Sequence, residues 1–335
     1  VRQWVISFPR QLRYWLAYNP KLQTKIIEIV IRVLQSYYRK KSKQKILAKQ
    51  AKTGFVTLIQ RFGSAVNLNI HLHILALEGL FLNENAKFIP VAQPTDEEVK
   101  KVVKVVAERL IKFLQKKGYL KTFDDGYAPE GFFDDDLFQN NAAFATCVSA
   151  SVGYKIGFGE NAGQPIRKVG SGWGNMDDEP LPTSRRCFLV NGFSLHANTF
   201  IKAGNIKRLE QLCNYILRPP IAVDRMSKLP DGNILYQLKR PYSDGTSHIE
   251  FTQMEFMEKL VALVPPPRAN TIRYHGVLAS NCKIRSMIVP GIQENKGKKD
   301  CNCQNKKYEW ASLLKRVFKI DILNCSCGGK LKIVS

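Results

Sequence analysis

Along "NLNIHLHILAL", residues 67–77, apolar and polar positions alternate with a period of two. In a strand successive side chains point to opposite faces. Leu68, Ile70, Leu72, Ile74 and Ala76 then line one face without a break, while Asn67, Asn69, His71 and His73 share the other with Leu75 and Leu77. The pattern predicts a strand with a greasy back and an imidazole-bearing front. "GFVTLIQRFG", residues 54–63, is β-rich and ends in a glycine-containing turn, so it is expected as an antiparallel neighbour of the histidine strand. "FLNENAKFIPV" reads as a further hairpin, "RCFLVNGFSLHANTF" as two short strands and "NILYQLKRPYSDGTSHIEFT" as a hairpin about Asp-Gly.

Other stretches carry the helical period. From about Pro9 to Gln50 the chain reads as helical, with Ile26, Ile29, Val30, Val33 and Leu34 as its apolar stripe. "TDEEVKKVVKVVAERLIKFLQKKG", residues 95–118, has Thr95 at the N-cap, Glu98 three residues on, acids in the first turn and Lys-Lys-Gly at the end. "NIKRLEQLCNYILRPP" buries Leu209, Leu212, Cys213 and Ile216 as a helix stopped by Pro219 and Pro220. "QMEFMEKLVALVPPPR" is a second helix ended by prolines. Residues 119–135 are expected as an acidic surface loop and 156–182 as a long mobile loop rich in Gly and Pro. From about 280 the chain turns Lys- and Asn-rich and loose, and ends in a short helix and a cysteine-bearing tail.

Length and composition narrow the class. A chain of 335 residues that is 44% hydrophobic and 10% aromatic can bury a substantial core and is globular. No apolar run reaches the roughly 18 residues of a membrane helix, so no membrane partner is expected. Lys and Arg number 51 against 28 Asp and Glu, a formal charge of +23, and the partner such an excess fits is a polyanion, nucleic acid first. Arg39, Lys40, Lys41, Lys43 and Lys45 crowd the end of the first helical region and are candidates for phosphate contact, against the plainer role of a solvated helix end. The chain opens "VRQWVISFPR", without Met and without a signal-peptide pattern, and its eight cysteines point to a reducing compartment.

Two neutral imidazoles on one strand face can converge on one metal ion. An oxygen donor would complete such a site, and Gln60 is the candidate, with Asn69 as the alternative; Gln60 serves equally well as a hydrogen-bonded core amide. On the helix ending at Pro219, Tyr215 sits at the stripe's edge with Arg208, Gln211 and Arg218 at helical distances. Positive charge beside a phenol favours its ionised form; the alternative is an amphipathic tyrosine with its hydroxyl in water. His196 is a third imidazole flanked by strand, while His248 and His275 are weaker candidates. Cys301, Cys303, Cys325 and Cys327 form two CxC pairs separated by 21 residues, a thiolate set for structural zinc whose spacing departs from the usual CxxC knuckle. Cys147, Cys187, Cys213 and Cys282 are scattered and read mostly as small buried residues.

Six segments occur in order: "VRQWVISFPRQLRYWLAYNP", "QRFGSAVNLNIHLHILALEG", "GFSLHANTFIKAGNIKRLEQLCNYILRPPIAVDRM", "YQLKRPYSDGTSHIEF", "LVPPPRANTIRYHGVLA" and "WASLLKRVFKIDILNC". Together they resemble the transposases of the insertion sequence ninety-one family, the rolling-circle "two-tyrosine" group of HUH endonucleases. The resemblance implies that "HLH" is the HUH motif, with His71 and His73 binding Mg or Mn. It implies that Tyr215 is the nucleophile towards single-stranded transposon ends, and that the setting is the nucleoid of a bacterial cytoplasm. It also implies paired tyrosines four apart, yet Gln211 holds the partner position, which leaves a single-tyrosine member. A cysteine-rich zinc-binding domain is expected before the catalytic part and is not in this sequence; a DNA-binding remnant without catalysis is the alternative. The expected architecture is α+β: an antiparallel sheet flanked by helices over 51–280, preceded by a helical basic segment, 1–50, and followed by a basic linker with a cysteine tail, 281–335.

Overall fold

The computed structural model describes residues 1–42, 50–123, 126–129, 136–170, 185–289, 315, 321–324 and 328–331. Its centre is a six-stranded sheet in the order Cys187–Val190, Phe193–His196, Arg2–Ser7, Leu68–Ala76, Gly54–Phe62 and Ile272–Gly276. All neighbours run antiparallel. The fold is α+β, as the two periodicities predict.

The segment 1–50, expected as a helical basic segment with helix from about Pro9, opens with a strand. Arg2–Ser7 is a strand in the middle of the sheet, and the helical run is broken at Asn19 into Arg10–Tyr18 and Pro20–Lys41. The break has a local cause: the Asn19 side chain accepts from the Leu22 amide at 2.9 Å, and Pro20 takes the first helical position, where its missing N–H costs nothing. In the strand, Trp4 and Ile6 point to one face while Gln3, Val5 and Ser7 point to the other. Trp4, Ile6 and Phe8 join Leu68, Ile70, Leu72 and Ile74 in one buried cluster with the helices Arg10–Tyr18, Pro20–Lys41 and Asp96–Lys116. The last of these carries the predicted capping box, with Thr95 accepting from Glu98 N at 3.2 Å and Glu98 accepting from Thr95 N at 2.8 Å.

A second sheet, Met226–Lys228, Ile234–Gln237, His248–Phe251 and Arg167–Val169, contains the hairpin predicted around Asp-Gly. Within two expected loops, described residues pair as strands. Arg167–Val169, inside the Gly- and Pro-rich stretch, pairs with His248–Glu250 and is anchored by Arg167–Glu255 at 2.9 Å and Lys168–Asp244 at 2.6 Å. Leu120–Phe123 and Gly126–Pro129 form a hairpin within the acidic stretch. No helix among the described residues is long and apolar enough to cross a membrane.

Candidate active site

The sheet's second face carries the polar positions. Gln60 lies directly opposite His71, and Leu58 opposite His73. Directly opposed residues on antiparallel strands share a face with their Cβ atoms about 5 Å apart. The register therefore puts Gln60 beside both imidazoles. Its Oε1 lies 2.8 Å from His71 Nε2 and 3.2 Å from His73 Nε2, and its Nε2 donates to the Ile216 carbonyl at 3.0 Å. Because a carbonyl only accepts, that last bond fixes the amide: nitrogen to Ile216, oxygen to the histidines.

The same logic fixes His71. Its Nδ1 is 2.9 Å from the Asn69 backbone carbonyl, so Nδ1 carries a proton. In the neutral ring Nε2 then bears a lone pair, and it faces another lone pair on Gln60. Two acceptors 2.8 Å apart repel unless a positive charge lies between them. The charge can be a proton on His71 or a metal ion. Hydrogen bonding the remote nitrogen of an imidazole to a backbone carbonyl is how metal-binding histidines are oriented. Adjacent ligands on an octahedral ion at about 2.1 Å stand about 3 Å apart, and the two imidazole-to-amide distances straddle that value. The donor set fits a divalent ion. Among the described residues no group of three His, Cys, Asp or Glu side chains that could hold a metal converges; the third group beside the two imidazoles is the Gln60 amide oxygen.

His73 is 5% exposed, and its Nδ1 lies 2.6 Å from the Gln3 side-chain nitrogen. Burial, reinforced by the charges of His71 and Arg218, holds its pKa down to about 3, so the ring is neutral, with Nδ1 accepting from Gln3 and the proton on Nε2 towards Gln60.

Above this face lies the helix Ile206–Ile216. Ile216 packs with Leu58 and Leu75, and Leu212, Cys213 and Val56 close around them. Only Ile216 of the expected stripe is fully buried. The next residue back, Tyr215, is 45% exposed and held between two cations: Arg218 Cζ stands 4.5 Å and Lys239 Nζ 4.7 Å from its ring centre. Arg218 also reaches the Phe62 ring at 5.8 Å. Gln211, one turn before Tyr215, is exposed.

The remaining candidates separate. Arg208 is exposed in the first turn, two turns or about 10 Å from Tyr215 along the axis, and the second cation on the ring is Lys239 instead. His196 sits in the same cross-strand row as Val5 and His73. Its backbone is two strand spacings from that of His73, about 9–10 Å, and burial lowers its pKa. Asn69 contributes its backbone oxygen, while its side-chain Oδ1 is buried without a partner. Lys41 is tied to Glu98 and lies over the Tyr37 ring, whereas Lys40 is exposed and Arg39 half-buried. Lys43, Lys45, Cys301, Cys303, Cys325 and Cys327 lie outside the described residues. Of the scattered cysteines Cys147 alone is buried; Cys187, Cys213 and Cys282 are half-buried. Sequence reasoning missed Gln3 and Lys239. The alternation in "RQWVIS" was the signal available for the first, and nothing local marks the second.

One sheet face thus gathers two imidazoles and an amide, with a cation-flanked tyrosine on the helix above it. Residues 54–285 match the model of the family described as "Putative transposase", a span that contains every one of those groups except Gln3. The chain belongs to this transposase family, and DNA is its partner. No curated protein matches the chain, and no solved structure does.

Proposed function

We propose that this transposase nicks and rejoins single-stranded DNA through Tyr215, in the manner of the rolling-circle HUH enzymes, with His71, His73 and Gln60 holding Mg or Mn. Gln60 carries the reading. One side chain faces both imidazoles and donates to the carbonyl next to Tyr215, so the metal-binding face and the nucleophile's helix are tied by a single residue.

The Tyr215 oxygen attacks the scissile phosphorus; the bond to the 3′ oxygen breaks, and that oxygen leaves as a hydroxyl after taking a proton. The 5′-phosphate stays on the tyrosine, which conserves the phosphodiester's energy for rejoining. Attack by a later 3′-hydroxyl restores the phosphodiester and returns the phenol. A divalent ion bound at this face supplies charge neutralisation at the non-bridging phosphoryl oxygens and orients them. Around it, Arg218 and Lys239 confine the Tyr215 ring and set two positive charges beside the incoming phosphate. Gln3 must present its oxygen to His73 Nδ1–H to leave Nε2 free, which a turn of its amide achieves. With Gln211 where a second tyrosine would stand, one covalent link forms at a time.

The test is an adduct assay with end- and internally labelled single-stranded DNA and Mn. A denaturant-resistant protein–DNA species is expected with the parent and lost with Tyr215→Phe. DNA binding without any adduct would replace the proposal with a DNA-binding remnant.

A further inference from the structure

Two cavities flank the open edge of the sheet and share lining residues, one of about 350 Å³ and one of about 250 Å³. Their cause is visible in the pairing. The edge strand Ile272–Gly276 pairs with its neighbour as far as Ile272–Leu58, and one further bond runs from Ile59 N to Thr271 O. Before that point Arg268–Asn270 leave the strand in a turn, with Ala269 N bonded to the Pro266 carbonyl at 3.1 Å instead of to the neighbouring strand. Residues Gln60–Phe62 are therefore left without a strand on that side. The smaller cavity opens on the histidine face beside Gln60 and Arg218, the larger on the helical face beside Arg268 and Arg273; Ile59, Arg61 and Thr271 line both.

The lining is one-signed. Arg61, Arg218, Arg268 and Arg273 contribute four guanidinium groups, and no Asp or Glu lines either cavity. Arg61 is 7% exposed and is bonded to the carbonyls of Ala17, Leu263 and Val264 rather than to a carboxylate. Those bonds use three of its five N–H donors. A desolvated cation with spare donors and no counter-ion favours an anion. Apolar walls from Phe62, Leu16 and the prolines lie between the arginines, the alternation of charge and flat apolar surface with which proteins hold single strands.

We propose that this groove is the path of the DNA strand leaving the active site: it seats the nucleotides adjacent to the scissile phosphate, bases against the proline and Phe62 walls and phosphates on Arg268 and Arg273. The assignment rests on the reading of Tyr215 as nucleophile only for which phosphate is scissile. As proposed, the groove takes a single strand, so duplex is expected to bind it more weakly.

The test uses the full chain and a short fluorescein-labelled oligothymidylate. Substituted with 4-thiothymidine and irradiated, it is expected to cross-link to the peptide spanning Pro266–Thr271. Arg268 is exposed with φ of 60°, a backbone state that Asn adopts readily, so Arg268→Asn removes the charge and keeps the loop. It should weaken binding about tenfold and lower the slope of log affinity against log salt by about 0.7. Cross-links confined elsewhere with an unchanged slope, or equal affinity for duplex, would overturn the groove even where the Tyr215 adduct forms. Cross-links at Pro266–Thr271 without an adduct would uphold the groove and remove the catalytic reading. Absence of binding overturns it.

Discussion

Gln60 can be a metal ligand, a tether for the tyrosine helix, or both, and two substitutions separate the roles. Gln60→Met keeps length and volume while removing every polar contact. The Ile216 carbonyl then loses its donor at a buried position, which costs about 1–3 kcal/mol of stability. If Gln60 is only a tether, that is the whole effect. If its oxygen is also a donor to the ion, metal affinity falls as well, by about tenfold or more. Gln60→Glu breaks the same tether, since a carboxylate does not donate, but it places a harder oxygen beside His71 and His73 and should bind Mn more tightly than the parent.

Metal-linked stabilisation makes the comparison quantitative. A ligand at 100 times its Kd stabilises by about 2.7 kcal/mol, and the same concentration at a tenfold weaker site by about 1.4 kcal/mol. Urea unfolding with and without Mn, at one Mn concentration and constant pH, should rank the increments Glu above Gln above Met. Without metal, both Gln60→Met and Gln60→Glu should be less stable than the parent. An equal Mn increment in the parent and Gln60→Met, with the increment lost in His71→Ala, would refute the amide as third donor and leave it a tether. Equal increments in all, His71→Ala included, would refute the metal site.

Other expectations follow from the same geometry. His71→Ala with His73→Ala should abolish cleavage of labelled single-stranded DNA and retain most DNA binding in an anisotropy titration; metal-dependent cleavage persisting in the double variant would sink the ligand assignment. Arg218→Ala should slow single-turnover adduct formation about tenfold or more at saturating DNA, with Arg218→Lys recovering part of it; an unchanged rate would make Arg218 a packing residue. Lys259 is fully buried, donates to the Lys155 carbonyl, and is held by burial at a pKa of about 8. Its folded pKa lies below the unfolded value near 10.5, so between those two values unfolding takes up a proton and stability rises with pH. Lys259→Met removes that rise, up to about 3 kcal/mol, which urea melts of both proteins across pH 8 to 10 would show; parallel curves would refute the burial argument.

What the sequence disclosed of this site follows from how its parts are connected. The histidine pair, its face and its partner Gln60 lie on two strands joined by one short turn, so alternation within each strand and one hairpin register bring them together. Periodicity reports a side chain's face and local pairing, and both were sufficient there. Gln3 meets His73 across 70 residues of chain, and Gln60 meets the Ile216 carbonyl across 156. Those contacts depend on strand order and on where a helix docks, which no local pattern encodes. Arg208 and Lys239 show the same limit from opposite sides. Arg208 shares a helical stripe with Tyr215 yet stands two turns away, whereas Lys239 follows a strand of another sheet and reaches the ring. The groove is the extreme case. Three prolines at 265–267 were legible as a helix stop, but the turn at Arg268–Asn270, with which the ladder ends one bond past Leu58 and leaves Gln60–Phe62 open beside four arginines, exists only once the two strands have paired.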